Sequence, residues 1–135
     1  MVIKTILIFL IALLGYSEWL TGTSYLQRPI VLGPLVGLVM GDMVTGTIMG
    51  ATMELAMVGA ISVGAYNPPD TISGTILGVS LAMQAGADAS AALTLGIPIA
   101  TIVLALDTAL GQPVMLLLVH RIDTVSYTHL RAHET

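Results

Sequence analysis

The stretch from Gly41 to Asp70 most strongly limits what this chain can fold into. Every residue between Met43 and Tyr66 is apolar, small or hydroxylic except Glu54. A run of this length can cross a bilayer as a helix, which predicts that Glu54 lies at mid-helix, in the hydrocarbon. An acid at the centre of a membrane helix costs about 2.5 to 3.5 kcal/mol, so we expect it to have a partner or a function.

The same stretch ends abruptly at the sequence Asn67-Pro68-Pro69-Asp70. Two successive prolines remove two backbone donors and move Asn67 out of the helical region, which predicts a turn. We interpret the helix and the turn as one wall of a polar site. Two structural alternatives remain: Glu54 is a buried structural acid, either protonated or bonded to a neighbouring helix, and residues 67–70 form an ordinary surface turn.

The composition indicates a membrane protein. Hydrophobic residues make up 56% of the chain and charged residues only 9%, with a mean hydropathy of +0.95. Too few charges remain to solvate a globule of 135 residues. We therefore predict an all-α integral membrane protein built of transmembrane helices and short broken or re-entrant segments. The net charge of −4 argues against a nucleic-acid partner.

The first apolar run, residues 5–14, follows Lys4 as a signal peptide would. No small-residue cleavage site comes after it. Tyr16 and Trp19 instead stand where an apolar segment would meet the lipid headgroups, which favours a retained membrane or interfacial helix.

Two further apolar runs, residues 30–41 and 71–87, are shorter than the roughly 20 residues that span a bilayer, and we predict broken or re-entrant segments. Glycines recur at four-residue spacing through this part of the chain, a pattern that favours close helix packing. These glycines are Gly33, Gly37, Gly41, Gly46, Gly50, Gly74 and Gly78. Asp42 is expected to cap the helix that follows it. Gln84 either bonds a polar ligand or caps an interfacial end, and we favour the cap.

The last apolar region, residues 89–123, allows two arrangements. It forms either one long helix bent at Pro98 and Pro113 or two segments that meet around residues 107–113. The following tail, residues 125–135, has no periodic apolar pattern, and its two histidines have no further ligands for a metal. The tail is similar to translated sequencing-adapter read-through, so we expect residues 1–124 to be a partial membrane domain and the tail to be non-native.

No motif in the chain carries covalent chemistry. There is no glycine loop followed by Lys and Ser or Thr, no metal-ligand pair of histidines, and no Ser or Cys nucleophile beside a base. We therefore predict no catalytic residue, no metal and no cofactor.

Four motifs occur in order between residues 22 and 107: RP, G-D-x-x-T-G, G-x-x-x-E-L and G-A-Y-x-P-P-D. In this combination the chain resembles the IIC membrane subunit of the mannose, fructose and sorbose class of bacterial sugar phosphotransferase systems. The resemblance implies a multi-pass, oligomeric permease subunit in the bacterial cytoplasmic membrane. Such a subunit works with a IID membrane subunit, while cytoplasmic IIA and IIB components relay phosphate from phosphoenolpyruvate.

By the same resemblance, Glu54, Asn67 and Asp70 would lie near the sugar, since carboxylates and amides bond several hydroxyls at once. The phosphoryl group would come from a histidine of the IIB component, which agrees with a chain that has no residue for phosphoryl transfer. Members of the family are much longer than this chain, which implies the N-terminal part of a larger permease.

Two other functions are compatible with the residues alone. An ion-coupled secondary transporter would use Glu54 to carry a proton and would depend on a proton gradient rather than on phosphoenolpyruvate. A non-transporting membrane scaffold held by its glycines would tolerate leucine in place of Glu54.

Overall fold

A computed structural model describes residues 1–22 and 24–131, and this part of the chain is helical. Its helices are α1 (Val2–Tyr16), α2 (Glu18–Thr21), α3 (Pro29–Met40), α4 (Met43–Met57), α5 (Thr71–Gln84) and α6 (Ala89–Arg131). Within the described ranges the only β-pairing is an isolated bridge between Val63 and Tyr66. The residues form two compact units, Met1–Leu104 and Ala105–Thr135.

Helices α3 and α4 form an antiparallel hairpin with a very short turn. Gly41 ends α3 with a φ of +103°, a left-handed conformation that glycine adopts without strain. Asp42 caps α4, as predicted: its carboxylate accepts from the Thr45 N–H at 3.1 Å and from the Thr45 hydroxyl at 2.5 Å. Gly41 was expected to belong to the packing glycines and does not, because no atom lies within 4 Å of where its Cβ would be.

The two helices of the hairpin touch backbone to backbone. A Cβ on Gly46 would lie 2.5 Å from the Cα of Gly37 and 2.6 Å from the carbonyl oxygen of Gly33. One turn further on, a Cβ on Gly33 would lie 2.5 Å from the Cα of Gly50. The predicted close packing is therefore confirmed, and no other residue fits at these four positions without moving a helix.

Helix α4 ends at Met57, and the prediction that it continues to Tyr66 is wrong. The Ala60 N–H bonds the carbonyl of Met57, which closes the last turn. Beyond it, Gly59 and Gly64 lower helix propensity, and Gly64 takes a φ of +62° beside the Val63–Tyr66 bridge. Glu54 consequently lies in the last turn of α4 and not at the middle of a long helix.

Helix α5 packs against the first part of α6 through a second set of small residues. A Cβ on Gly74 would lie 2.8 Å from the Gly96 carbonyl oxygen, and one on Gly78 would lie 2.8 Å from the Cα of Gly96. The methyl end of Met53 reaches the same place, 2.5 Å from where a Cβ of Gly96 would be. Met53 therefore joins the α3–α4 hairpin to the α5–α6 pair.

Helix α1 packs on α3 and α5 and runs antiparallel to α3. The Lys4 ammonium bonds the Met40 carbonyl at 3.4 Å at one end of the pair. At the other end, a Cβ on Gly15 would lie 2.9 Å from a methyl group of Ile72 and 3.6 Å from Leu32. The side chain of Trp19, which was predicted at the headgroups, lies outside what the structure describes.

The core of the first unit lies between these helices, and α5 contributes most to it. Its buried hydrophobic residues are Ile11, Leu32, Val36, Met49, Met53, Ile72, Ile76, Val79, Ala82 and Ala92. Helices α3 and α5 have 12 and 14 residues, so the prediction of short segments is confirmed, while their re-entrant character stays a prediction.

Helix α6 is one continuous helix over the described residues, which confirms the single helix of the first arrangement, while the bends at Pro98 and Pro113 stay a prediction. Its segment Ala89–Val125 contains an 18-residue stretch with a mean hydropathy of 2.1, and it is the one described helix that is long and apolar enough to cross a membrane. In the second unit, the side chains from Leu106 to Val125 are exposed. The predicted non-native tail runs past the last described residue, and His133 lies outside the described part.

Replacement of Gly46 by alanine tests the glycine packing. A methyl group there would meet backbone atoms of Gly37 and Gly33, which cannot move aside, so we expect a loss of about 1 to 3 kcal/mol in folding free energy. Gly59→Ala is the matched control, because nothing lies within 4 Å of its Cβ position. Thermal unfolding of the detergent-solubilised variants measures both effects. Equal midpoints for Gly46→Ala and Gly59→Ala would contradict the packing.

The cap at Asp42, in the turn between α3 and α4, makes stability depend on pH. The hydroxyl and then the N–H of Thr45 bond the carboxylate and lower the pKa of Asp42 below its usual 3.8. The cap therefore stabilises the fold at pH values above the usual pKa. This contribution disappears as the pH falls through the lowered pKa.

We therefore expect Asp42→Ala to lower the thermal midpoint at pH 7, with the difference from wild type narrowing below pH 3.8. Asp123→Ala, at an exposed position, controls for general effects of charge removal. A difference that stays constant down to the lowest pH would rule out the cap as its source.

Candidate functional site

Glu54 is paired with Arg28. The Arg28 guanidinium forms an ion pair with Oε1 of Glu54, and the backbone N–H of Ile30 bonds its Oε2 at 3.4 Å. The Glu54 side chain is 14% exposed and that of Arg28 is 44% exposed. The carboxylate is therefore largely enclosed, whereas the guanidinium remains partly accessible.

The local sequence explains why these groups meet. Arg28 precedes Pro29, and proline at the first helical position starts α3 there. A Cβ on Gly50 would lie only 2.6 Å from the Pro29 carbonyl oxygen, so the middle of α4 lies directly against the first residue of α3. Glu54 is one turn beyond Gly50, which places its carboxylate at the N-terminus of α3, where the helix dipole favours negative charge.

Asp70 holds three helices at one corner. Its carboxylate caps α5 by accepting from the N–H groups of Ile72 and Ser73, each at 3.3 Å. The Tyr16 hydroxyl at the end of α1 also donates to this carboxylate. The backbone N–H of Asp70 bonds the carbonyl of Ala100 in α6 at 3.2 Å.

The two carboxylates lie at the same end of the first unit. Gly15, next to Tyr16, packs against both Leu32 in the first turns of α3 and Ile72 in the first turn of α5. The N-termini of α3 and α5 therefore face the same way, with Glu54 at the first and Asp70 at the second. We call this end, with Arg28 and Glu54 on one side and Asp70 on the other, the acidic end.

Asn67 lies in the segment between α4 and α5 that leads to Asp70. Its side chain is exposed, and it forms no hydrogen bond with another described residue. The grouping of Glu54, Asn67 and Asp70 into one polar site therefore stays a prediction. Among the described residues, no hydrogen bond or ion pair joins Glu54 to Asn67 or Asp70.

Two residues of the acidic end were not expected from the sequence. In the sequence Arg28 stands out only as part of the motif RP, and the signals for its pairing were this motif and the position of Glu54 one turn after Gly50. Tyr16 was assigned to the membrane interface, and nothing local to the sequence indicated its bond to Asp70.

The bonding capacity of the acidic end suits a ligand with several hydroxyl groups. A carboxylate offers about four acceptor positions. In this structure three donors reach that of Asp70 and two reach that of Glu54. Free acceptor positions, the partly exposed guanidinium and the Asn67 amide therefore offer both donors and acceptors to such a ligand.

Gln84 is not part of this arrangement. It is the last residue of α5, exposed, and lies at the opposite end of that helix from Asp70. One turn below Asp70, by contrast, the Thr75 hydroxyl is fully buried and has no hydrogen-bond partner among the described residues. An unbonded buried hydroxyl is unfavourable by about 1 to 3 kcal/mol, so the interior below the acidic end is not optimised for stability.

Comparisons with known proteins agree with the motifs. A family model described as the sorbose-specific IIC component of the phosphotransferase system matches residues 2–129. A protein of Escherichia coli (strain K12) whose name assigns it as IIC component 2 of an N-acetylgalactosamine permease is 38% identical over 94 residues, 70% of this chain and 71% of that protein. The mannose-specific EIIC component of the same strain is 30% identical over 127 residues, 94% of this chain.

A solved structure shares the fold. A chain in the cryo-EM structure of the mannose transporter ManYZ with microcin E492 superposes with a TM-score of 0.66 at 27% identity, covering 96% of this chain and 56% of that chain. The present chain spans 44% of the mannose-specific component. The resemblance drawn from the four motifs and the prediction of an all-α membrane protein are both confirmed.

A double-mutant cycle tests the ion pair of the acidic end. We expect Arg28→Gln to lower the thermal midpoint, because it leaves the enclosed Glu54 carboxylate without its cation. In the double variant, Glu54→Gln should remove most of that penalty. The expected coupling free energy is on the order of 1 kcal/mol, because the guanidinium of this pair is partly exposed. Arg121→Gln, at an exposed position of α6, is the control. Strictly additive shifts would show that the two side chains are not paired.

Proposed function

Because the chain belongs to the sorbose-specific IIC component family of the phosphotransferase systems, and so is a bacterial membrane protein, we propose that it binds a sugar at the acidic end and takes part in moving it across the membrane. The substrate-binding residues in this proposal are Glu54, Asn67 and Asp70. The observation that carries it is the placement of two carboxylates at one end of the helices, each held at a helix N-terminus.

Each group has a distinct role in the proposal. Glu54, oriented by Arg28 and the Ile30 N–H, accepts from sugar hydroxyls. Asp70 uses its remaining acceptor position, and the Asn67 amide both donates and accepts. Since five donors already hold the two carboxylates, little ordering is needed when the sugar binds, and pre-organisation of this kind favours affinity.

The chemistry of phosphorylation belongs to other components in this scheme. The described residues contain no group of three or more histidines, cysteines or acids suited to a metal. We propose that the phosphoryl group reaches the sugar from a cytoplasmic IIB component, which receives it through IIA, and that a IID subunit completes the membrane part. The multi-pass topology and the oligomeric state belong to the same proposal.

The family membership argues against the two alternatives. An ion-coupled transporter and a scaffold both remain physically possible for an isolated membrane acid, but neither the matched family nor the named relatives are described in those terms. The relatives also name different sugars, so the proposal specifies a sugar and not one stereoisomer.

Sugar uptake tests the proposal. Membrane vesicles containing the complete subunit with its partner components would be offered labelled N-acetylgalactosamine, mannose, fructose and sorbose, with phosphoenolpyruvate inside. We expect uptake of at least one sugar that requires phosphoenolpyruvate and survives a protonophore. Uptake abolished by the protonophore alone would favour the ion-coupled alternative.

In the same vesicles, Glu54→Gln should abolish uptake while membrane insertion and the amount of protein stay normal. A neutral amide loses the ion pair with Arg28 and the charge-assisted hydrogen bonds to the sugar hydroxyls. Glu18→Gln is the matched control, since Glu18 forms no hydrogen bond or ion pair with other described residues. Normal uptake by the Glu54 variant would remove Glu54 from the site.

A further inference from the structure

We propose that Tyr16 is a positioning residue of the sugar site: its hydroxyl fixes the carboxylate of Asp70, and through it helix α1 takes part in substrate binding. This inference rests on the proposed function of the acidic end and assigns a role to a residue outside the motifs of that function. The position of Tyr16 at the lipid headgroups stays a prediction, and it is compatible with this role.

The geometry that carries the inference is a chain of bonds between α1 and α5. The Tyr16 hydroxyl donates to Oδ2 of Asp70 and lies 2.7 Å from the hydroxyl of Ser73. A phenol has one proton, and it is used on the carboxylate. The Ser73 hydroxyl must therefore donate to the Tyr16 oxygen, so the order of donation is Ser73 to Tyr16 to Asp70.

The neighbouring residue shows why Tyr16 reaches this place. A Cβ on Gly15 would lie 2.9 Å from a methyl group of Ile72, so α1 approaches the first turn of α5 as closely as a glycine permits. Gly15 is buried there. The close approach brings the end of α1 onto the cap of α5, and a bulkier residue before Tyr16 would move the hydroxyl away from Asp70.

The bond constrains which acceptor positions of Asp70 a ligand meets. Oδ2 receives both the Tyr16 hydroxyl and the Ser73 N–H, whereas Oδ1 receives the Ile72 N–H at 3.3 Å. Without Tyr16 the carboxylate would still cap α5 through the two amides, but it would be free to turn. We therefore expect loss of the hydroxyl to weaken sugar binding more than it weakens the fold.

Tyr16→Phe in the complete subunit tests this inference, because it removes the hydroxyl and keeps the ring. In the vesicle assay, with whichever of the four labelled sugars the wild type takes up, we expect KM to rise about 3- to 10-fold, the size of one typical hydrogen bond, while the maximal rate stays within about two-fold. Tyr25→Phe is the matched control, as Tyr25 is exposed and its hydroxyl has no described partner.

A double-mutant cycle separates positioning from a general structural effect. Asp70→Asn alone should raise KM, and in that background Tyr16→Phe should raise it no further. Ser73→Ala, which removes the donor to the Tyr16 oxygen, should raise KM by less than Tyr16→Phe.

Each result decides a different point. If Asp70→Asn leaves KM unchanged, the role of Asp70 in the proposed site is wrong. If Asp70→Asn raises KM but Tyr16→Phe does not, or if the two effects multiply independently, the positioning role of Tyr16 is wrong while the proposed site stands. A lower thermal midpoint for Tyr16→Phe with unchanged KM would likewise reduce Tyr16 to a structural contact.

Discussion

Backbone contact between helices α3 and α4 is the constraint on which the rest of the structure depends. Their axes come together at Gly33, Gly37, Gly46 and Gly50, where a single methyl group would meet backbone atoms at 2.5 to 2.8 Å. Between apolar helices in lipid there is little hydrophobic driving force, so close packing of small residues has to hold them together. The same contact fixes the register of the hairpin and thereby decides which side chains meet at its open end.

The acidic end follows from that register. Because Gly50 lies against the Pro29 carbonyl, Glu54 reaches the N-terminus of α3. There its carboxylate pairs with Arg28 and accepts a hydrogen bond from a backbone amide of the first turn. Asp70 repeats the arrangement at the N-terminus of α5. Two helix dipoles and one guanidinium thus stabilise two carboxylates that an apolar environment would otherwise disfavour, and the acids remain available as acceptors for a hydroxylated substrate.

Several features could be predicted from the sequence because they depend on local chemistry. The Asp42 cap follows from an acid directly before a helix, and the packing glycines follow from their four-residue spacing. The four ordered motifs were enough to identify the family. The length of α4 was predicted wrongly, because hydropathy alone does not register that Gly59 and Gly64 favour a turn over another two turns of helix.

The sequence by itself determined the membrane class, the family, the short helices and the acid that any account of function must explain. Only the tertiary structure decided the partners of that acid and of Asp70: Arg28 is 26 positions from Glu54 by the printed numbering, and Tyr16 is separated from Asp70 by 54. Periodicity and capping rules act over a few residues, whereas pairing across helices depends on how closely their backbones approach. The distance between two helix backbones is set by pairs of glycines on both helices, so it cannot be predicted from either segment alone.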